Sequence, residues 1–208
     1  MKTVAYSNIL ETTMWNGVQL TDGREFNAFM VNDVASRLYD HPGRIDFTSH
    51  LNSLASTEFA QESLKAILEA EYHEERDWAV GEALAEAWLS RDHGVVWPWN
   101  MVRDKRTPQA SLPGADLIGF MIQDGKTRLV LGEVKSSSDS RIPPQVMTGR
   151  QGMTRQLENL VSDSRLLFTL IQWLLPRCRK NDAEPHFNAA IRLLFQSDNK
   201  EMVLFVGF

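Results

Sequence analysis

At 208 residues, 43% hydrophobic and 24% charged, the chain is long enough for one well-buried domain and sits near the averages of soluble globular proteins, which excludes disordered and fibrous classes. With 22 Lys and Arg against 27 Asp and Glu the formal net charge is -5, so any surface for nucleic acid has to be local. The single cysteine, Cys178, excludes an internal disulfide and a multi-thiolate zinc site; the most apolar run, Leu166 to Leu175, is about half a bilayer crossing, so a cytoplasmic chain without a membrane segment is expected.

Residues 1–75 read as an N-terminal extension or subdomain, and 76–208 as the main domain. The first part offers a strand pair around Val4 to Leu20 and helical stretches near Phe26 to Tyr39 and from Leu51 to Glu71. From Arg76 to Ser90, Val80, Ala83, Leu84, Ala87 and Trp88 recur at helical spacing, which predicts a helix. Gly94 to Trp99 reads as a strand, and Asn100 to Pro113, carrying Arg103, Lys105 and Arg106, as a polar loop.

Two apolar runs, Ala115 to Ile122 and Thr127 to Val134, flank Asp124-Gly125 and predict a β-hairpin. Beyond the Pro143-Pro144 break, helices are expected over Thr148 to Val161 and over Arg165 to Leu175, the second ended by Pro176. Ala189 to Gln196 and Glu201 to Val206 read as a second hairpin around Asp198-Asn199. The fold class expected is α/β, a central mixed sheet carrying the motif hairpin and flanked by helices.

With Asp124 and Gly125 as the central turn residues, paired positions sum to 249 and Asp116 falls opposite Glu133. Directly paired side chains share a face at about 4.5–5.5 Å between β-carbons, so two carboxylates there repel unless something positive lies between them. Lys135, two residues beyond Glu133, returns to the same face. Leu117, Ile118, Phe120, Leu129, Val130, Leu131 and Val134 imply burial on both faces, where isolated charge is expensive.

An acidic residue two before a lysine arises by chance roughly once or twice in such a chain, and here it also occurs in the turn sequences Asp124-Gly125-Lys126 and Asp198-Asn199-Lys200. Only Glu133-Val134-Lys135 ends an apolar strand with an acidic partner in register; the competing explanation is a satisfied ion pair at a sheet edge. Gly125-Lys126-Thr127 lacks the first glycine of a phosphate-binding loop, since that position is Phe120, and His73-Glu74 lacks the second histidine of a zinc-protease helix, since that position is Asp77. The six tryptophans, Trp97 and Trp99 among them, read as core or interface residues.

Gly114-Ala115-Asp116-Leu117-Ile118-Gly119-Phe120, a tight turn, and Leu131-Gly132-Glu133-Val134-Lys135-Ser136-Ser137 together resemble the core of the PD-(D/E)xK nuclease superfamily over roughly residues 78–160. Ala115 stands where the superfamily usually has proline. The resemblance implies a restriction-endonuclease-like core and a Mg²⁺-dependent nuclease, with Mn²⁺ able to substitute. It assigns Asp116, Glu133 and Lys135 to catalysis, Glu82 as a further carboxylate on the preceding helix with Glu86 as its competitor, and Gln156 (or Gln151) as an assisting glutamine. Metal ligands would be Asp116, Glu133, Glu82 and the Val134 carbonyl. DNA is the expected substrate, met by Arg141, Arg150 and Arg155, a stretch without acidic residues, and by Arg103, Lys105 and Arg106.

The Gly-Ala-Asp and Gly-Glu-x-Lys wording is similar to the small nuclease subunits of Hachiman-type anti-phage defence systems, which implies a helicase or ATPase partner. A nuclease-like fold acting only as a DNA-binding or assembly subunit is the alternative left open, as is self-assembly.

Overall fold

The computed structural model describes residues 2–10, 13–70, 77–104, 114–141, 145–147, 152–198 and 201–207. It is a mixed α/β structure with a two-stranded and a three-stranded sheet. The first sheet is the expected strand pair: β1 (Lys2–Leu10) antiparallel to β2 (Thr13–Leu20). Next come α1 (Arg24–Ala28), a π-helical segment Phe29–Val34 and α2 (Ala35–Tyr39), which together cover the first expected helical stretch.

Instead of one helix from Leu51 there are two, α3 (His41–Leu54) and α4 (Glu58–Glu69). The break is chemical: the Thr57 hydroxyl accepts the Ala60 amide at 3.2 Å, capping a new helix start where a threonine side chain outcompetes the helical backbone. Helix α5 (Asp77–His93) and the short α6 (Met101–Asp104) precede the hairpin of β3 (Leu117–Gln123) and β4 (Lys126–Val134).

Asp124 and Gly125 both take positive φ, 52° and 71°, as a two-residue hairpin turn with the strands' own twist requires. The ladder from Gln123↔Lys126 to Leu117↔Gly132 keeps the expected register. Helices α7 (Met153–Ser162), α8 (Ser164–Cys178) and α9 (Glu184–Gln196) then carry the chain over to β5 (Met202–Gly207), which pairs parallel with β4. The sheet order is β3-β4-β5, with β4 central. Lys126 and Arg128 both bridge to Glu201, at 3.1 and 2.8 Å, tying the turn end of the hairpin to the entry of β5.

Burial is continuous over residues 117–121 and 129–133, as a sheet covered on both faces demands, with successive side chains entering opposite faces. Ile118, Phe120, Leu129 and Leu131 face a cluster that includes Leu170 and Leu174 of α8 and Ala190 and Leu194 of α9, whereas Leu117, Met121 and Val130 face Leu89, Val95 and Trp97. Phe29 and Val34, from within the first seventy-five residues, are buried in the former cluster. Trp99 is buried and donates its indole N–H to the Ile118 carbonyl at 2.7 Å, a core role. No helix among the described residues is long and apolar enough to cross a membrane.

Several sequence expectations are overturned. The second hairpin does not form, because Ala189 to Gln196 lies within α9: the buried set Phe187, Ala190, Ile191 and Leu194 has helical spacing, and a run begun at Ala189 omits its first member. Pro176 does not end α8, which continues to Cys178. The proline removes only the hydrogen bond to the Gln172 carbonyl, and both residues are exposed, so water can take its place. Gly94 to Trp99 contributes a single bridge, Val96↔Phe120, rather than a strand. Gly152 is extended (φ -65°, ψ 153°), so α7 starts at Met153 and not at Thr148, which itself lies outside the described residues.

Cys178 is fully buried in the core of α8, and burial first, then the charge of Glu184, pushes its thiol up to about 12. The native protein at pH 8 is therefore expected to take up no iodoacetamide over hours, and the urea-unfolded protein one label per chain. Mass spectrometry reads the difference, and stoichiometric labelling of the folded state would contradict this placement.

Candidate active site

The motif end of the hairpin departs from a simple ladder. Regular pairing stops at Leu117↔Gly132, and the Asp116 N–H donates to the Gly132 carbonyl at 3.0 Å, one position away from the Glu133 pairing that the register predicts. A short carboxylate can stand in for a backbone acceptor, and Asp116 does so: its Oδ2 accepts the Val134 amide at 2.9 Å. The correction leaves the two acids together, since Asp116 lies within hydrogen-bonding reach of Glu133.

In a β-strand the N–H and C=O of one residue point to the same neighbour. The Val134 amide faces Asp116, so the Val134 carbonyl is directed to that side too, while the Lys135 amide turns the other way to the Gly207 carbonyl at 3.0 Å. Glu133 and Lys135 share the opposite alternation and meet, Nζ to Oε1, at 3.0 Å. Glu133 is 7% exposed, and the ammonium side chain reaches solvent.

Three influences act on Glu133. Burial is the largest and raises its pKa, the neighbouring Asp116 charge raises it further, and the Lys135 hydrogen bond and charge pull it down without cancelling the rise. The lysine therefore does not fully compensate the acid pair.

Helix α5 reaches this end of the sheet through Gly81. A methyl group there would lie 3.0 Å from Ser136 Oγ and 3.8 Å from Val134 Cγ1, so the missing side chain is what lets the helix lie against the strand exit. Glu82, the next residue, is 7% exposed. Glu86, one turn on, is buried and bonded by Arg37 Nη1 at 3.4 Å, in a network where Arg37 also reaches Ser90 and the Trp97 indole joins Ser90. Of the two helix glutamates, Glu86 is engaged by Arg37, and Glu82 is the one next in sequence to the Gly81 contact. Among the described residues no three His, Cys, Asp or Glu side chains are gathered so as to hold a metal ion. Gln156 is half-buried on α7, which packs on β4; Gln151 lies outside the described residues.

The basic residues fare differently from their sequence reading. Lys105, Arg106 and Arg150 lie outside the described residues. Arg103 is paired with Asp104 at 3.0 Å and Asp40 at 3.7 Å, and Arg141 with Asp139 at 2.9 Å. Arg155 is exposed on α7. A count of acids that starts at Arg141 misses Asp139, two residues earlier. The available signal was the Ser136 to Ser140 stretch with an aspartate inside it, a composition that favours side-chain-organised turns.

No family model, no curated protein and no solved structure matches this chain.

Linkage gives Glu133 a testable sign. A carboxyl whose pKa is raised in the folded state binds its proton more tightly there, so stability falls as pH rises from the ordinary carboxylate range through the raised value. Glu133→Gln is expected to raise the melting temperature at pH 7.5 in EDTA and to flatten the fall between acid and neutral pH. A structural ion pair predicts the reverse, because Lys135 would lose its partner. Thermal melts across pH decide between them.

Proposed function

We propose that this chain is a divalent-metal-dependent nuclease of the PD-(D/E)xK type that cuts DNA, with α5, the β3–β4 hairpin, β5 and α7 forming a restriction-endonuclease-like core. One observation carries the reading: at the end of a strand pair buried on both faces, two carboxylates lie within hydrogen-bonding reach, with a lysine ammonium on the second. Keeping such a group costs stability, which is expected of a site held for charge it is to receive.

The donor chemistry suits Mg²⁺, with Mn²⁺ able to substitute. Asp116 and Glu133 supply hard oxygens, the Val134 carbonyl is directed to the same side, and Glu82 stands on the adjoining helical turn. Mg²⁺ keeps several waters, so few protein ligands suffice. Bound there, the ion would supply Lewis acidity toward the phosphate and lower the cost of deprotonating water.

The remaining work falls to the chain's own groups. The Val134 amide holds Asp116 in place, leaving its other oxygen for the ion. Lys135 has three N–H donors and spends one on Glu133. The others can orient the attacking water and meet negative charge building on the phosphoryl oxygens. Gln156 is assigned an assisting hydrogen bond from α7. The sequence carries no complete nucleotide-binding loop, so strand separation would come from a helicase or ATPase partner.

A second reading, a nuclease-like DNA-binding or assembly subunit without catalysis, gains from the lack of a three-residue ligand group among the described residues. Incubation with linear DNA in Mg²⁺ or Mn²⁺ separates the two. Cleavage silenced by EDTA is expected, with Lys135→Ala slowing it on the order of 10²-fold or more while Mn²⁺ binding by calorimetry survives. Asp116→Ala and Glu133→Ala are expected to lose both. Undiminished cutting in chelator, or wild-type cutting by Lys135→Ala, would overturn the proposal, and intact DNA under every metal condition would favour the binding subunit.

A further inference from the structure

The loop that leaves β4 after Lys135 is organised by one carboxylate. Asp139 Oδ1 accepts the Arg141 amide at 3.1 Å and Arg141 Nε at 2.9 Å. Its Oδ2 accepts the Gln145 amide at 2.9 Å and pairs with Arg141 Nη2 at 2.9 Å, and the same Nη2 donates to Gln145 Oε1 at 2.9 Å. The Asp139 amide is itself held by Ser137 Oγ at 3.1 Å. These bonds, the Arg141 guanidinium foremost, hold the Asp139 carboxyl well below the usual carboxylate range.

The guanidinium is thereby fixed along its Nε–Nη2 edge. Its Nη1 has no hydrogen-bond partner among the described residues, and the side chain is 64% exposed. A free surface arginine loses rotamer entropy when it binds an anion, whereas this one has already lost it in the fold and still presents two N–H donors outward. Arg141 stands eight residues beyond Glu133, a stretch that spans at most about 29 Å, so Arg141 lies within roughly eight or nine phosphates of any phosphodiester held at Asp116 and Glu133.

We propose that Arg141 is a preset contact for a backbone phosphate of DNA flanking the bond to be cut, and that Asp139 is the positioning residue that presets it. The location relative to the cut bond rests on the nuclease reading; the phosphate contact does not. If Asp139 were instead a mask that cancels the arginine, Asp139→Asn would tighten binding rather than weaken it.

The test is binding of a short fluorescent DNA, single-stranded and duplex, in EDTA, where metal-dependent cutting is absent. Arg141→Ala is expected to weaken binding roughly tenfold at low salt and to lower the slope of affinity against salt by about one. Arg141→Lys keeps the charge but not the fork and is expected to recover little of the loss. Asp139→Asn should weaken binding several-fold although the protein gains a positive charge, and the double variant Asp139→Asn with Arg141→Ala should bind no worse than Arg141→Ala alone, since the aspartate acts through the arginine.

Tighter binding by Asp139→Asn, wild-type binding by Arg141→Lys, additive losses in the double variant, or a wild-type protein that binds no DNA would each overturn the proposal. The two readings fail separately. These binding losses in a protein that never cuts would sink only the nuclease, and a cutting enzyme indifferent to Arg141 would sink only the phosphate contact.

Discussion

β4 is the constraint from which the rest of the molecule follows. It is paired on both edges, antiparallel to β3 and parallel to β5, and Leu129, Val130 and Leu131 have no exposed surface. A strand so enclosed cannot slip by one residue, because a slip would exchange every side chain between two apolar clusters of different shape. The register that buries Leu129 and Leu131 on one side and Val130 on the other is therefore the register that sets Glu133 and Lys135 on a common face. Apolar packing, which carries no chemistry, fixes where the charge goes.

The electrostatics at the strand exit are unbalanced by design of the backbone. Asp116 leaves the ladder one position early and spends an oxygen on a main-chain amide, so the hairpin is closed by a carboxylate rather than a carbonyl. That closure brings a second negative charge beside Glu133 in a place where burial already disfavours the first. A surface ion pair would be the cheaper use of Lys135. Here the lysine serves an acid whose pKa stays raised in spite of it.

Much of this was legible from residues alone where the signal is local. Asp124-Gly125 between two apolar runs defines the hairpin, and α5 announces itself by helical spacing. What escaped the sequence depended on competition or on distance. A threonine cap splits a helix at Thr57, an aspartate side chain replaces a backbone acceptor at Asp116, and a short apolar run beginning at Ala189 fits strand and helix equally until Phe187 is counted with it. Arg141 read as a free cation because Asp139 lies just before the stretch that begins with it, whereas Arg103 is held both by its sequence neighbour Asp104 and by the distant Asp40.

The parallel pairing of β5 with β4 also sets an order of assembly. The hairpin that brings Asp116 to Glu133 closes through a two-residue turn, a local event on the scale of microseconds. The amide of Lys135 is held by Gly207, and that contact waits for α7, α8 and α9 to be laid across the sheet. On a ribosome adding on the order of ten residues per second, the stretch between the two takes several seconds to appear. The growing chain thus presents the hairpin side of the site well before the β5 side that seats the Lys135 backbone.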